Sequence, residues 1–168
     1  MLRWAILIFN YTNRDSFKEW LYANYTIHDS VIADYTYDFA QKSLRIKLIN
    51  SFYNTNFTFC FEGVKLSLIL NKNEFGNPTE VIAGVVEDDY TFLKEKFPWI
   101  SNEIADQDMY FVFQMFSMDE LHIVFEEVQI NVCWFYFSKF KSFVFEEPEF
   151  FGLLFLFDAK LKVHKKLF

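Results

Sequence analysis

The chain has 168 residues, 52% hydrophobic and 22% aromatic, with 24 phenylalanines against three prolines and four glycines. That apolar mass can bury roughly two thirds of the unfolded surface without a disulfide or metal staple, and it excludes a disordered chain. The net charge of −7 is uneven: residues 139–168 hold six lysines against four acids, which leaves −9 on residues 1–138. So acidic a body disfavours nucleic acid, whose phosphates need clustered Lys or Arg, and favours a basic protein partner. The length fits one domain over residues 1–168, ending in a basic tail at 159–168.

The opening run Met1 to Phe9 imitates a signal peptide, but it is short and Asn10 to Asp15 supplies no small-residue cleavage site. An edge strand is expected there. Ser16-Phe17-Lys18-Glu19 has capping-box form, and Phe17, Trp20 and Leu21 fall at helical spacing, so a short amphipathic helix is expected over residues 15–24. From Val31 the period becomes two, with Val31, Ala33, Tyr35, Tyr37 and Phe39 on one face and Asp34, Thr36 and Asp38 on the other. Ala40 to Ser43 reads as a turn, Leu44, Ile46 and Leu48 begin the returning strand, and Asn50 to Asn56 is a polar connection.

The next hydrophobic run changes phase. Phe57, Phe59 and Phe61 set one alternation, while Val64, Leu66, Leu68 and Leu70 continue in the other, with the step at Glu62-Gly63. Keeping both sets inward requires an extra residue there, as a β-bulge or sharp bend supplies, and Gly tolerates the backbone conformation. Phe125-Glu126-Glu127-Val128-Gln129-Ile130 repeats the pattern 64 residues further on. Met109 to Phe116, the turn Ser117 to Glu120 and Leu121 to Phe125 precede this copy, which suggests two similar strand-turn-strand units, each ending in a bent strand.

Between the units, Asn73 to Pro78 reads as a loop, Val81 to Val86 as a strand, and a helix from Asp88 or Asp89 takes Phe92, Leu93 and Phe97 before Pro98 ends or kinks it. Trp134 to Phe145 and Phe150 to Phe157 are expected as core, or as a dimer or partner interface if exposed. A lipid-surface tail with Lys160, Lys162, Lys165 and Lys166 is a third reading. Phe150 to Phe157 is about a third of the length that spans a bilayer, so no membrane span is expected.

Cys60 and Cys133 lie in apolar strand-like runs, where buried free thiols in a reducing cytoplasm are expected over a single bridge. His28-Asp29-Ser30 holds the residue types of a serine hydrolase, but triads are assembled across a fold rather than from neighbours. The three read instead as a structural motif, satisfying backbone groups where the chain passes from helix to strand. His28, His122 and His164 fall in different elements with no close ligand spacing, so neither a metal site nor a cofactor is expected, and His122 reads as an outward strand residue.

Glu87-Asp88-Asp89 is the densest acidic run, and Glu126, Glu127, Glu146 and Glu147 add carboxylates near strand ends. Asp88 or Asp89 can cap the following helix, and the run can be a solvated face. It can also join the other acids as a docking surface for a basic protein. A role for paired carboxylates in catalysis depends on a separation in space that sequence spacing does not set.

The order of segments adds a resemblance. An early helix, Ile27-His28-Asp29-Ser30 before an alternating strand, Leu44-Arg45-Ile46, and then Ser117 to Ile123 with Phe125-Glu126-Glu127-Val128 resembles small uncharacterised proteins of low-GC Gram-positive bacteria. They are similar to the immunity proteins encoded beside polymorphic or contact-dependent toxins. The resemblance covers about residues 1–133, and the aromatic tail lies outside it. It implies a cytoplasmic α+β protein that blocks a toxin by binding it and carries no catalytic residues.

The expectation is thus an α+β protein with a predominantly antiparallel, strongly bent sheet and two or three short helices. Its function is expected to be non-enzymatic binding of a basic toxin. The alternative is a self-associating domain whose exposed strands pair in a homodimer. An enzyme would need a pocket bringing His28 or His122 to carboxylates at hydrogen-bond range.

Overall fold

The computed structural model describes residues 2–23, 27–72 and 76–135. Glu146, Glu147, the aromatic segment beyond Phe135 and the basic tail at 159–168 lie outside the described residues. Among the described residues there are nine strands: β1 (Leu2–Asn10), β2 (Ser30–Asp38), β3 (Ser43–Asn50), β4 (Thr55–Glu62), β5 (Leu66–Leu70), β6 (Glu80–Glu87), β7 (Met109–Met115), β8 (Glu120–Phe125) and β9 (Glu127–Phe135). They form one antiparallel sheet in the order β1-β9-β4-β3-β2-β6-β7-β8-β5, open between β1 and β5. Helix α1 (Arg14–Ala23), helix α2 (Thr91–Lys96) and two 3-10 turns, Tyr11–Asn13 and Pro98–Asn102, complete the described chain. The protein is therefore mainly sheet, and its first strand lies at an edge as the sequence predicts.

Helix α1 begins one residue before the expected 15–24, and the capping box lies not at Ser16 to Glu19 but on the 3-10 turn that leads into it. The Asn10 side chain accepts from Thr12 N–H at 3.0 Å, and Asn13 Oδ1 accepts from Asn10 N–H at 2.7 Å, a reciprocal capping box. The helix then drops Phe17 into the core, where its ring stacks on Phe9 at 4.7 Å and on Phe111 at 5.5 Å. Trp20 sets its edge against Phe57 and Phe59.

The sheet folds over this core. Strands β4 and β7 are not neighbours in the sheet, yet Phe59 lies 5.3 Å from Phe113 and Phe61 lies 6.0 Å from Phe111. Two bends make this possible. After Phe61 the chain turns through Glu62-Gly63 into β5, and after Phe125 it turns through Glu126 into β9. Because β4 pairs with β9 and β5 with β8, the two bent strands stay side by side through the corner. Glu126 N–H donates to Glu62 O at 3.0 Å, and Lys65 N–H donates to Val124 O at 2.8 Å. Gly63 has φ +62°, and a Cβ there would stand 2.5 Å from Glu126 Cδ. Both bends lie where the sequence predicts the phase step and its copy, but only the second keeps both sets in one core: Val128, Ile130 and Val132 join Phe125 in the main core, whereas Leu66 and Leu68 face a second, smaller one. The units that carry them differ, since one bent strand follows the β2-β3 hairpin and the other is the returning arm of the β7-β8 hairpin itself.

Three expectations need correction. In β2 the register shifts between Ile32 and Asp34, so Tyr35 and Tyr37 face inward opposite Ile46 and Leu44, while Val31 falls out of phase and Phe39 stands in the turn, 86% exposed. Strands β7 and β8 are covered on both faces. Beneath Met109, Phe111, Phe113 and Met115 lies the main core, while Tyr110, Val112 and Val124 meet Leu93 and Ile100 from the connector in a second, smaller one. His122 belongs to that covered face and is only 4% exposed, not outward to solvent. Finally, Cys60 and Cys133 are free and half-buried, alternating with the inward Phe59, Phe61 and Val132. Cys133 pairs opposite Asn56, four positions from Cys60, and about 3.3 Å per residue places the thiols roughly 13 Å apart along the sheet. That is beyond the about 7 Å Cα separation a disulfide tolerates.

Candidate functional site

Among the described residues, the acids singled out in the sequence do not form one surface patch of unengaged charge. Asp88 receives Lys18 Nζ at 2.6 Å and Arg14 Nη1 at 3.1 Å, both from α1. The Lys18 hydrogen bond, with Arg14 behind it, holds its carboxyl below the usual carboxylate range. Asp88 therefore fastens α1 to the end of β6. Asp89 accepts from Thr91 N–H at 2.8 Å and serves the start of α2 from one residue before the formal N-cap, Tyr90. Glu87 lies opposite Tyr110 in the β6-β7 ladder.

Glu126 sits at the corner, its carboxylate 2.7 Å from Lys65 Nζ, a hydrogen bond that raises the lysine pKa. Glu127 opens β9 and reaches Asn10 Nδ2 at 3.5 Å. Among the predicted docking acids, then, Asp88 and Glu126 are each engaged by internal cations.

His28, Asp29 and Ser30 do come together at the start of β2, but not as a triad. His28 Nδ1 lies 2.7 Å from Asp29 Oδ1 with both side chains exposed, while Ser30 is fully buried in the ladder opposite Val81. Backbone demands explain the arrangement: Asp29 adopts φ +64° and donates its N–H to Val81 O at 2.9 Å, and Asn50 Nδ2 donates to His28 O at 2.9 Å. His28 also borders a hollow of about 430 Å³ between α1 and β6, walled by Leu21, Tyr22, Ile27, Ile82 and Val85.

A second polar cluster escaped sequence reading. His122 Nδ1 lies 2.5 Å from Tyr110 Oη, its Nε2 lies 3.1 Å from Glu120 Oε2, and Lys72 Nζ reaches Glu120 Oε1 at 2.9 Å. The ring of Phe92 stacks over His122 at 5.4 Å. Burial pushes the His122 pKa down against the pull of Glu120, and burial pushes the Tyr110 hydroxyl well up. Burial also works upward on Glu120, but Lys72 and His122 outweigh it and hold that carboxyl low. Neutral imidazole accepting from Tyr110 and donating to Glu120 satisfies every member of the chain. This arrangement packs β7 against β8. Among the described residues, no group of three His, Cys, Asp or Glu side chains is disposed to hold a metal ion. No described helix is long and apolar enough to cross a membrane.

A bare strand edge lies elsewhere, on the β2-β3-β4 meander. β6 pairs with β2 only at Ser30 and Val31, so from Asp34 to Asp38 no strand among the described residues occupies the other edge of β2. Tyr35 is 40% exposed there, and Phe39, Phe52 and Tyr53 stand out at the ends of the hairpins. Asp34 and Asp38 share the outer face of β2, and neither makes an ion pair among the described residues. The alternation of these residues was visible in the sequence. The departure of β6 that bares them was not, because it depends on where a distant strand pairs.

Comparison with family models, with curated proteins and with solved structures gave no significant match.

Proposed function

We propose that the protein is a non-catalytic binding module for a basic protein, an immunity protein that neutralises a toxin by covering its site. The observation that carries this reading is the free outer edge of β2, where the acids Asp34 and Asp38 share one face and Val31, Tyr35 and Phe39 are exposed along the same strand and its turn. Exposed rings beside charge suit an interface, in which aromatic anchors supply affinity and charge sets the encounter rate and the choice of partner. The dispersal of the other acids is compatible with this, because Asp88 and Glu126 already have internal partners.

The test is co-purification of the tagged full chain from its own cells, at low and raised salt, with bound chains identified by mass spectrometry. A stoichiometric basic protein released by salt, whose toxicity is relieved by co-expression, supports the reading. Recovery of the chain without a partner, together with failure to relieve a neighbouring toxin, refutes it.

One observation favours a second reading, self-association. Trp4 and Ile8 on the outer face of edge strand β1 are 45% and 44% exposed, and a long apolar edge invites pairing with another copy. Sedimentation at increasing concentration tests it, and a monomer throughout would count against it.

A further inference from the structure

The geometry points to how that partner would be held: we infer that the free edge of β2 from Asp34 to Asp38 accepts an extended segment of the partner as an added strand, with basic residues at every second position. This inference rests on the proposed binding function and specifies its mode.

The first support is the edge itself. β2 is hydrogen-bonded to β3 from Val31 to Asp38, but β6 leaves it after Val31, and Ile32 N–H donates to Thr79 O at 2.8 Å as the last bond on that side among the described residues. Beyond it, backbone donors and acceptors of an ordered strand face outward, which is the template used in strand addition.

The second support is the charge order across the sheet. On the outer face, β2 presents Asp34, Thr36 and Asp38, and β3 presents Lys47 and Arg45 directly opposite the first two. An acidic row therefore already lies against a basic row. A strand added beyond β2 continues that alternation only if its outward residues are basic, since opposite charges facing each other across a ladder are favourable and like charges are not. Its inward residues would lie beside the rings of Tyr37 and of Tyr35, whose hydroxyl is already bonded to Ser67 Oγ of β5 at 2.6 Å, so they are best apolar.

The same pattern argues against a second copy at this edge. The antiparallel register that pairs the whole free stretch, centred on Thr36, would set Asp34 of each copy against Asp38 of the other. β1 is the edge suited to self-pairing, and β2 is suited to a basic strand.

The experiment uses the isotope-labelled full chain and three probes: a short peptide alternating lysine and valine, its isomer with the lysines and valines in blocks, and an alternating glutamate-valine peptide. The alternating lysine peptide is expected to bind best, shifting the amides of residues 34–38 and protecting them from hydrogen exchange. Asp34→Lys should weaken it about ten-fold, and Asp34→Asn less. Asp34 is exposed, so its replacement leaves the core intact; lysine there would face Lys47 across the ladder, and Asp34→Asn, which adds no like charge, controls for that. Asp38 accepts the N–H groups of Ala40 and Gln41 at 2.9 and 3.1 Å, so there Asp38→Asn, which keeps the acceptor, is the appropriate variant.

Equal binding of all three peptides, unresponsive amides at 34–38, or undiminished affinity in Asp34→Lys overturns the inference. If a partner found by co-purification is retained by Asp34→Lys, the strand-edge mode fails and the binding function stands. If the peptide binds at β2 but no partner is recovered from cells, the edge stands and the proposed function fails.

Discussion

Replacing Gly63 with alanine probes the corner on which the fold turns. Alanine at φ +62° enters the left-handed region at a cost of about 1 to 2 kcal/mol. Its Cβ would also stand 2.5 Å from Glu126 Cδ and 2.7 Å from Cγ. Both atoms belong to a flexible side chain, so Glu126 can swing away while its backbone keeps the bond to Glu62. That movement breaks the 2.7 Å contact with Lys65 Nζ, which is largely solvent-accessible on the Glu126 side and contributes about 0 to 1 kcal/mol.

The expected loss is therefore about 1 to 3 kcal/mol, a substantial share of a typical domain stability of about 5 to 15 kcal/mol. Urea unfolding reads it as a lower midpoint at unchanged slope. Part of the penalty belongs to Glu126. In a Glu126→Ala background the obstruction and the ion pair are both gone, so Gly63→Ala should then cost only the backbone part. Equal penalties in the two backgrounds, or a Gly63→Ala protein within about 0.3 kcal/mol of wild type, would refute this account of the bend.

Three other expectations follow from the interior. Phe111 touches the rings of Phe17, Phe59, Phe61 and Phe113, and Phe111→Ala should cost about 3 to 5 kcal/mol in the same assay, with a much smaller cost marking a core that collapses into the space. Cys60 and Cys133 should both be alkylated in the native protein without reductant, slowly near neutrality because burial raises both thiol pKa values and faster as pH rises; a mass showing two fewer hydrogens and no adduct would contradict the register of β4 and β9. His122 has a folded pKa below its unfolded value of about 6.5, so the unfolded chain takes up the proton first and stability should fall as pH drops below that point. His122→Gln should flatten the stability slope between neutral and mildly acid pH, and identical slopes for the two proteins would discount the imidazole.

How much of this was legible depended on whether a feature was local. Alternation in Phe57, Phe59 and Phe61 and in Met109 to Met115 announces strands because side-chain direction follows directly from backbone period. The break at Gly63 was visible for the same reason, as a change of phase at a residue that tolerates positive φ. The bulge at Ala33 was not, because β2 carries mixed residues on both faces and no phase is enforced. Nor does the Leu121-His122-Ile123 alternation reveal that Phe92, thirty residues earlier in the chain, covers the imidazole. The acids show the same division. Glu87-Asp88-Asp89 stands out by density, yet what Asp88 does is decided by Lys18 and Arg14, seventy or more positions away. Asp34 and Asp38 look ordinary in sequence and gain interest only because β6 departs.

The bare edges of β1 and β2 also separate the two functional readings by physics. Charge attraction across β2 is screened over a Debye length of about 10 Å at 0.1 M salt and about 3 Å at 1 M, so a basic strand held by Asp34 and Asp38 should weaken steeply as salt is raised. Pairing of β1 with a second copy involves Trp4, Ile6 and Ile8, with no acid among them, and would join two chains of net charge −7. Salt reduces the repulsion between such chains and leaves apolar burial in place, so that association should hold or strengthen. A sedimentation series on the full chain, with and without the alternating lysine peptide, therefore has opposite expected slopes for the two edges. A self-association that dissolves with salt, or peptide binding that survives it, would mean that the edges have been assigned the wrong partners.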